Sequence, residues 1–248
     1  LAHIIAQHMA RTTIVNDSTA PLLDRLHQTN PFDGFPLENW PADMQGWGSK
    51  HRLMSKMVQE LRPSLIVEVG SWKGGSAIFM ADEARRIGLS TTILCIDTWL
   101  GSPGIYLRRD HTYESLNLRN GYPQLYFQFL ANVLHTGHQD TIVPLPQTSD
   151  NAIDILRNLG LAPEFIYIDA AHEYEPVKKD IANYFPILAE GGVMVGDDFN
   201  RRRWPGVVQA VEEYATENAL SLHVDSPKFA LAHRELGSLG LEQKQSQS

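Results

Sequence analysis

The sequence predicts an α/β fold: a seven-stranded, mostly parallel sheet with helices on both faces and an amino-terminal helical cap. Three observations carry this. From about Leu61, short apolar runs alternate with longer helix-period segments, the rhythm of β-α units. The first of these runs leads through a glycine-rich turn straight into a helix pattern. The last two apolar runs read as a closing pair of strands.

In order, the strands are expected at Ser64–Val69, Thr92–Ile96, Asp140–Pro144, Phe165–Ile168, Gly192–Gly196, Ser221–Val224 and Phe229–Ala232. The intervening helices are expected at Ser76–Arg86, Leu125–Leu134, Ala152–Leu159, Pro176–Leu188 and Val207–Asn218. Residues 1–60 do not follow this rhythm. Two helices, Ile4–Arg11 and Ser49–Leu61, flank a stretch rich in Pro, Asn, Asp and Trp, which reads as a cap appended to a domain at 61–235. Residues 236–248 end in Gln and Ser and are expected to form a polar, frayed tail.

Composition bounds the function. Apolar residues make up 43% and charged residues 20%, an ordinary globular balance. One cysteine, Cys95, excludes an internal disulfide and a cysteine-based zinc finger, and it reads as a core residue. A net charge of −8 disfavours nucleic-acid partners, whose binding runs on clustered positive charge. No apolar stretch approaches the roughly 18 residues of a membrane span, and the start lacks a signal-peptide layout. A soluble, cytoplasmic protein with no membrane partner is expected.

The first strand ends in Glu68-Val-Gly-Ser-Trp-Lys-Gly-Gly-Ser76. Glycines allow a sharp turn and close approach to a ligand, and a helix amino end supplies free N–H groups. Asp97 closes the second strand as Glu68 closes the first, and carboxylates facing the crevice at strand ends suit the two hydroxyls of a ribose. The spacing from Gly70 to Gly74 and Gly75 is not the dinucleotide fingerprint, which argues against NAD. The combination favours an adenosine ligand.

Two further strands end in acids, at Asp169 and at Asp197-Asp198. Parallel neighbours lie about 4.8 Å apart, so the three carboxylates converge and repel unless a cation intervenes. All-oxygen ligation favours Mg²⁺ or another hard divalent ion. The competing reading is helix capping. His172 lies close enough to share the pocket and to take a hydroxyl proton.

Together these residues resemble the class I S-adenosylmethionine-dependent methyltransferases, with their Rossmann-like sheet, and within them the metal-dependent small-molecule O-methyltransferases. The glycine loop looks like that of catechol O-methyltransferase-like enzymes. Asp-Ala-Ala-His-Glu-Tyr174 and Trp204-Pro-Gly-Val-Val-Gln-Ala-Val211 look closest to a bacterial branch of sugar O-methyltransferases and cephalosporin-hydroxylase-like proteins. The resemblance implies S-adenosylmethionine as cofactor. Glu68 and Asp97 would meet the ribose; Gly70, Trp72 and Ser76 would line the methionine and sugar portion; Thr148, Ser149 and Asp150 would meet the adenine; Ser71 and Thr98 would be cofactor-binding as well. Asp169, counted also as lining the cofactor, would hold the metal with Asp197 and Asp198. His172 stands where the catechol-type enzymes place a lysine base, and Asp198 where they place an asparagine. The base is His172 or Asp169, and the acceptor is a hydroxyl of a small molecule, a natural product or a sugar.

Two other readings stay open: an iron-binding oxidative enzyme of the cephalosporin-hydroxylase-like type, and a non-catalytic adenosine-binding scaffold. Trp40 and Trp47 cover the acceptor site or form a subunit contact in a homo-oligomer, and the sequence leaves both uses standing.

Overall fold

A computed structural model describes residues 20–241, and these fold around one seven-stranded sheet. The expected helix at Ile4–Arg11 lies outside the described residues. In chain order the elements are α1 (Leu22–Leu26), α2 (Arg52–Leu61), β1 (Leu65–Val69), α3 (Gly75–Arg86), β2 (Thr92–Asp97), α4 (Pro103–Arg108), α5 (His111–Glu114), α6 (Leu125–Thr136), β3 (Ile142–Pro146), α7 (Ser149–Asn158), β4 (Phe165–Ile168), α8 (Tyr174–Tyr184), β5 (Val193–Gly196), α9 (Pro205–Glu217), β6 (Ser221–Asp225) and β7 (Lys228–Ala232).

The strand order is β3-β2-β1-β4-β5-β7-β6. Strands β1 to β5 are parallel, and β7 runs antiparallel between β5 and β6. The chain winds outward from β1 in one direction and returns to β4 on the other side. The crevice between β1 and β4 is therefore the switch point, where open α/β sheets bind ligands.

Period-2 alternation splits each strand between two cores. Ile66, Ile93, Cys95 and Tyr167 face α2, α3 and α6; Val67, Val69, Leu94, Ile166 and Met194 face α7, α8 and α9. All seven expected strands are present. The third sits two residues later than expected, because the Thr141 and Ile142 amides both donate to the His138 carbonyl and delay the ladder. Strand β3 is the sheet edge, which accommodates Pro144 and Pro146. Helix α8 stops at Tyr184 and gives way to a 3-10 turn at Phe185–Ile187, since Pro186 has no N–H to continue it.

Two boundaries differ from expectation. No seam falls at residue 60, because α2 buries Leu53, Met54, Met57 and Val58 in the same core as α3. In the segment expected to begin a polar tail, Leu236, Leu239 and Leu241 are buried in that core too. Among the described residues no helix is long and apolar enough to cross a membrane.

Candidate active site

The glycine loop follows from steric necessity. Gly70 has φ +91°, and a Cβ there would lie 2.0 Å from the Asp169 carbonyl oxygen. Only glycine lets the β1 tip lie against the β4 tip. Gly74, at φ +85°, turns the chain into α3. Between them Trp72 also adopts a positive φ, +48°.

Asp97 ties this loop to β2. Its Oδ2 accepts the N–H groups of Ser71 and Trp72 at 3.0 and 2.9 Å, and its Oδ1 accepts that of Trp99 at 2.8 Å. These bonds favour the carboxylate, yet burial outweighs them and raises the Asp97 pKa. Thr98 accepts the Leu100 amide and shapes the same turn.

Glu68 differs from expectation. It is wholly buried, with its Oε1 accepting from Ser76 Oγ and its Oε2 3.5 Å from Cys95 Sγ. Burial pushes its carboxyl upward. Because Glu68 is the fourth residue of β1, alternation turns it toward the helix layer with Ile66. It braces the loop from beneath and presents no surface to a ribose. Cys95 is buried as expected.

At the β3 tip, Thr148 caps α7 by accepting from the Asn151 amide, and the Ser149 carbonyl accepts from the Tyr184 hydroxyl. The Gln147 amide donates to the Asp97 carbonyl, which sets this turn beside the β2 tip. Asp150 points instead to α8, where it pairs with Lys179 at 2.7 Å. Its carboxylate is engaged there and not at the cleft where an adenine contact was expected.

The tips of β4 and β5 gather the second group. The Asp169 amide donates to Val69 O and the Asp197 amide to Ile168 O, so backbone bonds fix both tips. Asp169, His172 and Asp198 each offer a ligand atom, and these atoms lie within 4.8 Å of one another. His172 Nε2 is 2.6 Å from Asp198 Oδ2, and its ring stacks on Trp204 at 4.2 Å. Asp198 holds a left-handed backbone, φ +60°. Burial, with the charges of Asp197 and Asp198, pushes Asp169 up to about 7 against the opposing pull of Lys228 and His172. The Asp198 carboxylate raises the His172 pKa against its own burial. Two carboxylates and an imidazole with converging donors and mutual repulsion form a set whose chemistry fits a divalent cation.

Asp197 stands apart from this set. Its Oδ2 accepts from Lys228 Nζ at 2.5 Å, and the Tyr167 hydroxyl lies 3.1 Å away. Lys228 has no exposed surface, and its Nζ also meets the Tyr167 hydroxyl at 2.7 Å. Neither Lys228 nor Tyr167 was expected in the site. The β5–β7 register pairs Gly196 with Phe229, and one further step sets Lys228 opposite Asp197. That signal exists only once the pairing of β7 with β5 is known. Tyr167 was legible, as the single polar side chain in Phe165-Ile-Tyr-Ile, two residues before Asp169 and on its face of the strand.

A strap from the amino-terminal segment crosses this region. Asp43 pairs with Lys73 at 2.6 Å, Gln45 accepts from Trp72 Nε1 at 3.1 Å, and Trp47 packs on Trp72 with ring centres 5.8 Å apart. The buried Asn132 clasps strap to loop: it accepts from the Asp43 amide and donates to the carbonyls of Asp43 and Lys73. Gly48 then passes over the Asp197–Lys228 pair, where a Cβ would be 3.3 Å from Asp197 Oδ2. Trp40 packs against Phe35 and Phe127, whereas Trp47 stays exposed beside the loop.

A sheet whose order reverses beside a glycine loop, with acids at the adjoining tips, defines an α/β protein of the nucleotide-binding type. A family model described as a methyltransferase domain matches residues 67–199, more than half of the chain, and the chain belongs to that family. It is 24% identical over 169 residues to a rhamnosyl O-methyltransferase of Mycobacterium bovis, covering 65% of this chain and 59% of that protein. It is 26% identical over 153 residues to an uncharacterized protein, R132, of Acanthamoeba polyphaga mimivirus, covering 61% and 59%. The chain thus spans less than two thirds of the length of these relatives.

Solved structures share the fold. The calicheamicin methyltransferase CalS11 superposes with a TM-score of 0.54 at 19% identity, covering 74% of this chain and 78% of that one. An O-methyltransferase from Bacillus cereus in complex with SAH gives 0.52 at 18% identity, covering 92% and 97%.

Proposed function

We propose that the chain is an S-adenosylmethionine-dependent O-methyltransferase that acts, with a divalent cation, on a hydroxyl of a small molecule such as a sugar or hydroxylated natural product. One observation carries this reading: the glycine loop and the acid cluster are in direct contact, since Gly70 abuts the Asp169 carbonyl. A methyl donor on the loop and an acceptor oxygen at the cluster would then be neighbours. The names of the rhamnosyl O-methyltransferase and of the similar O-methyltransferase structures support the reaction class.

In this reaction the sulfonium–carbon bond breaks, a carbon–oxygen bond forms, a neutral thioether leaves, and the hydroxyl proton passes to the acid cluster. A cation held by the carboxylates of Asp169 and Asp198 would stabilise the developing alkoxide or phenolate. The protein's own part is alignment, which supplies several kcal/mol when reacting atoms are held in line. Gly70, Ser71, Trp72 and Ser76, with the turns at Thr98, Thr148 and Ser149, shape the donor side, and Asp97 fixes the loop. On the acceptor side Asp169 and His172 are the groups able to receive the proton, and Trp204 walls the site behind His172.

The test is exhaustive chelation of the purified protein, assayed with a panel of hydroxylated acceptors and for S-adenosylhomocysteine binding. Chelation is expected to abolish methyl transfer and leave cofactor binding intact. Turnover that persists without metal would remove the cation from the mechanism. Oxygen consumption on adding iron, without methyl transfer, would favour the oxidative reading instead.

A further inference from the structure

The tips of β4 and β5 present more anionic donors than one cation needs, and the fold divides them. We infer that the cation is held by Asp169, His172 and Asp198, and that the buried ammonium of Lys228 withdraws Asp197 from the ligand set. The inference rests on the cation-assisted reading above and refines which atoms do the holding.

Asp197 already accepts three hydrogen bonds. Its Oδ2 meets Lys228 Nζ and the Tyr167 hydroxyl, its Oδ1 accepts the Asp198 amide at 2.7 Å, and its side chain is 8% exposed. A dication on the same Oδ2 would stand beside an ammonium that cannot retreat, because Lys228 is closed in by Tyr167 and by the strap at Gly48. Like charges at that separation, in a poorly solvated site, oppose binding strongly. A buried carboxylate paired this way is a fixed structural counter-charge.

His172 has the opposite situation. Its Nε2 faces the Asp198 carboxylate, within reach of Asp169, and stacking on Trp204 fixes the ring plane. A cation at the cluster would be within reach of the imidazole nitrogen that faces Asp198. The imidazole lone pair would then be spent on the ion, so His172 would act as a ligand, and the proton of the acceptor hydroxyl would pass to Asp169, the other group of the cluster able to receive it. An imidazole among carboxylates also changes the metal preference. Mg²⁺ favours oxygen donors throughout, whereas first-row transition ions accept nitrogen readily. This chain should therefore prefer an ion such as Co²⁺ to Mg²⁺ more than an all-oxygen site would.

The experiment is calorimetric titration of Co²⁺ and of Mg²⁺ into the chelator-stripped full chain, with the visible spectrum of bound Co²⁺ recorded in parallel. The variants are His172→Gln and Asp197→Asn/Lys228→Met, the second removing carboxylate and ammonium together so that no uncompensated charge is left beside the cation. S-adenosylhomocysteine binding serves as the folding control. His172→Gln should weaken Co²⁺ by about tenfold or more, alter the cobalt spectrum, and narrow the gap between Co²⁺ and Mg²⁺. Asp197→Asn/Lys228→Met should leave Co²⁺ affinity within about threefold of the parent, well short of the loss that follows removal of a ligand. Loss of metal in Asp197→Asn/Lys228→Met with retention in His172→Gln would overturn the ligand assignment while leaving the cation-assisted reading intact. A parent protein that binds S-adenosylhomocysteine but neither ion would overturn both.

Discussion

The two halves of the cleft treat their carboxylates in opposite ways. On the β1–β2 side, Asp97 accepts three backbone N–H groups and Glu68 lies wholly buried against Ser76 and Cys95. These acids complete the loop from within. On the β4–β5 side, Asp169 faces Asp197 and Asp198 and is pushed up to about 7. Protein groups satisfy the first set, while the second keeps a repulsion that Lys228 and His172 offset in part and that protonation or an added cation would relieve further. Acids at strand tips are thus not one kind of feature: a carboxylate with its bonds made is scaffold, and one left in repulsion is a site for something positive.

Breaking the second half should have the largest effect on chemistry. Asp198→Ala removes a carboxylate from the cluster and the partner of His172, and methyl transfer should fall on the order of 10²–10³-fold, with S-adenosylhomocysteine affinity little changed. Paired kinetics and calorimetry on the same preparation check this. Loss of cofactor binding together with activity would mean the halves are not separable.

Removing the lysine tests the internal counter-charge. Lys228→Met leaves Asp197 buried without its partner and should cost about 3–5 kcal/mol in urea unfolding, while Asp197→Asn/Lys228→Met should recover much of it. Equal stability of both variants would show that the pair is not coupled. On the first half, Gly70→Ala drives a methyl into the Asp169 carbonyl and should destabilise by about 1–3 kcal/mol or more, read as a lowered thermal midpoint.

The smallest effect concerns Glu68. Burial raises its pKa above 4.5 in the folded state, so the folded protein binds the proton more tightly than the unfolded chain does. Stability from this group is present below pH 4.5 and is lost as pH rises through the folded value. Glu68→Gln should flatten that fall, seen as a wild-type minus variant difference in unfolding free energy that grows more unfavourable with pH. An unchanged pH profile would mean the carboxyl is not confined as described.

This contrast also explains what was readable in the sequence. The strands, the glycine turn and the acids at Asp169 and Asp198 follow from local period and spacing, and the fold reproduces them. The fate of Glu68 was readable too, because its place inside β1 sends it to the helix layer, but its nearness to the glycines invited a ligand role. The Asp197–Lys228 pair was not readable. It depends on the register of β7 against β5, contacts made by residues 31 apart whose pairing no local pattern fixes. The strap over the loop likewise depends on Asn132, which is 89 residues from its partner Asp43.

The most direct measurement is anomalous X-ray diffraction from crystals grown with S-adenosylhomocysteine and soaked in Mn²⁺. The expected result is density for the thioether cofactor along the Gly70 loop and a single manganese peak between Asp169 and Asp198. Cofactor density with no anomalous peak at those carboxylates, or a peak elsewhere in the molecule, would contradict the claim that this pair of strand tips is built to hold a cation.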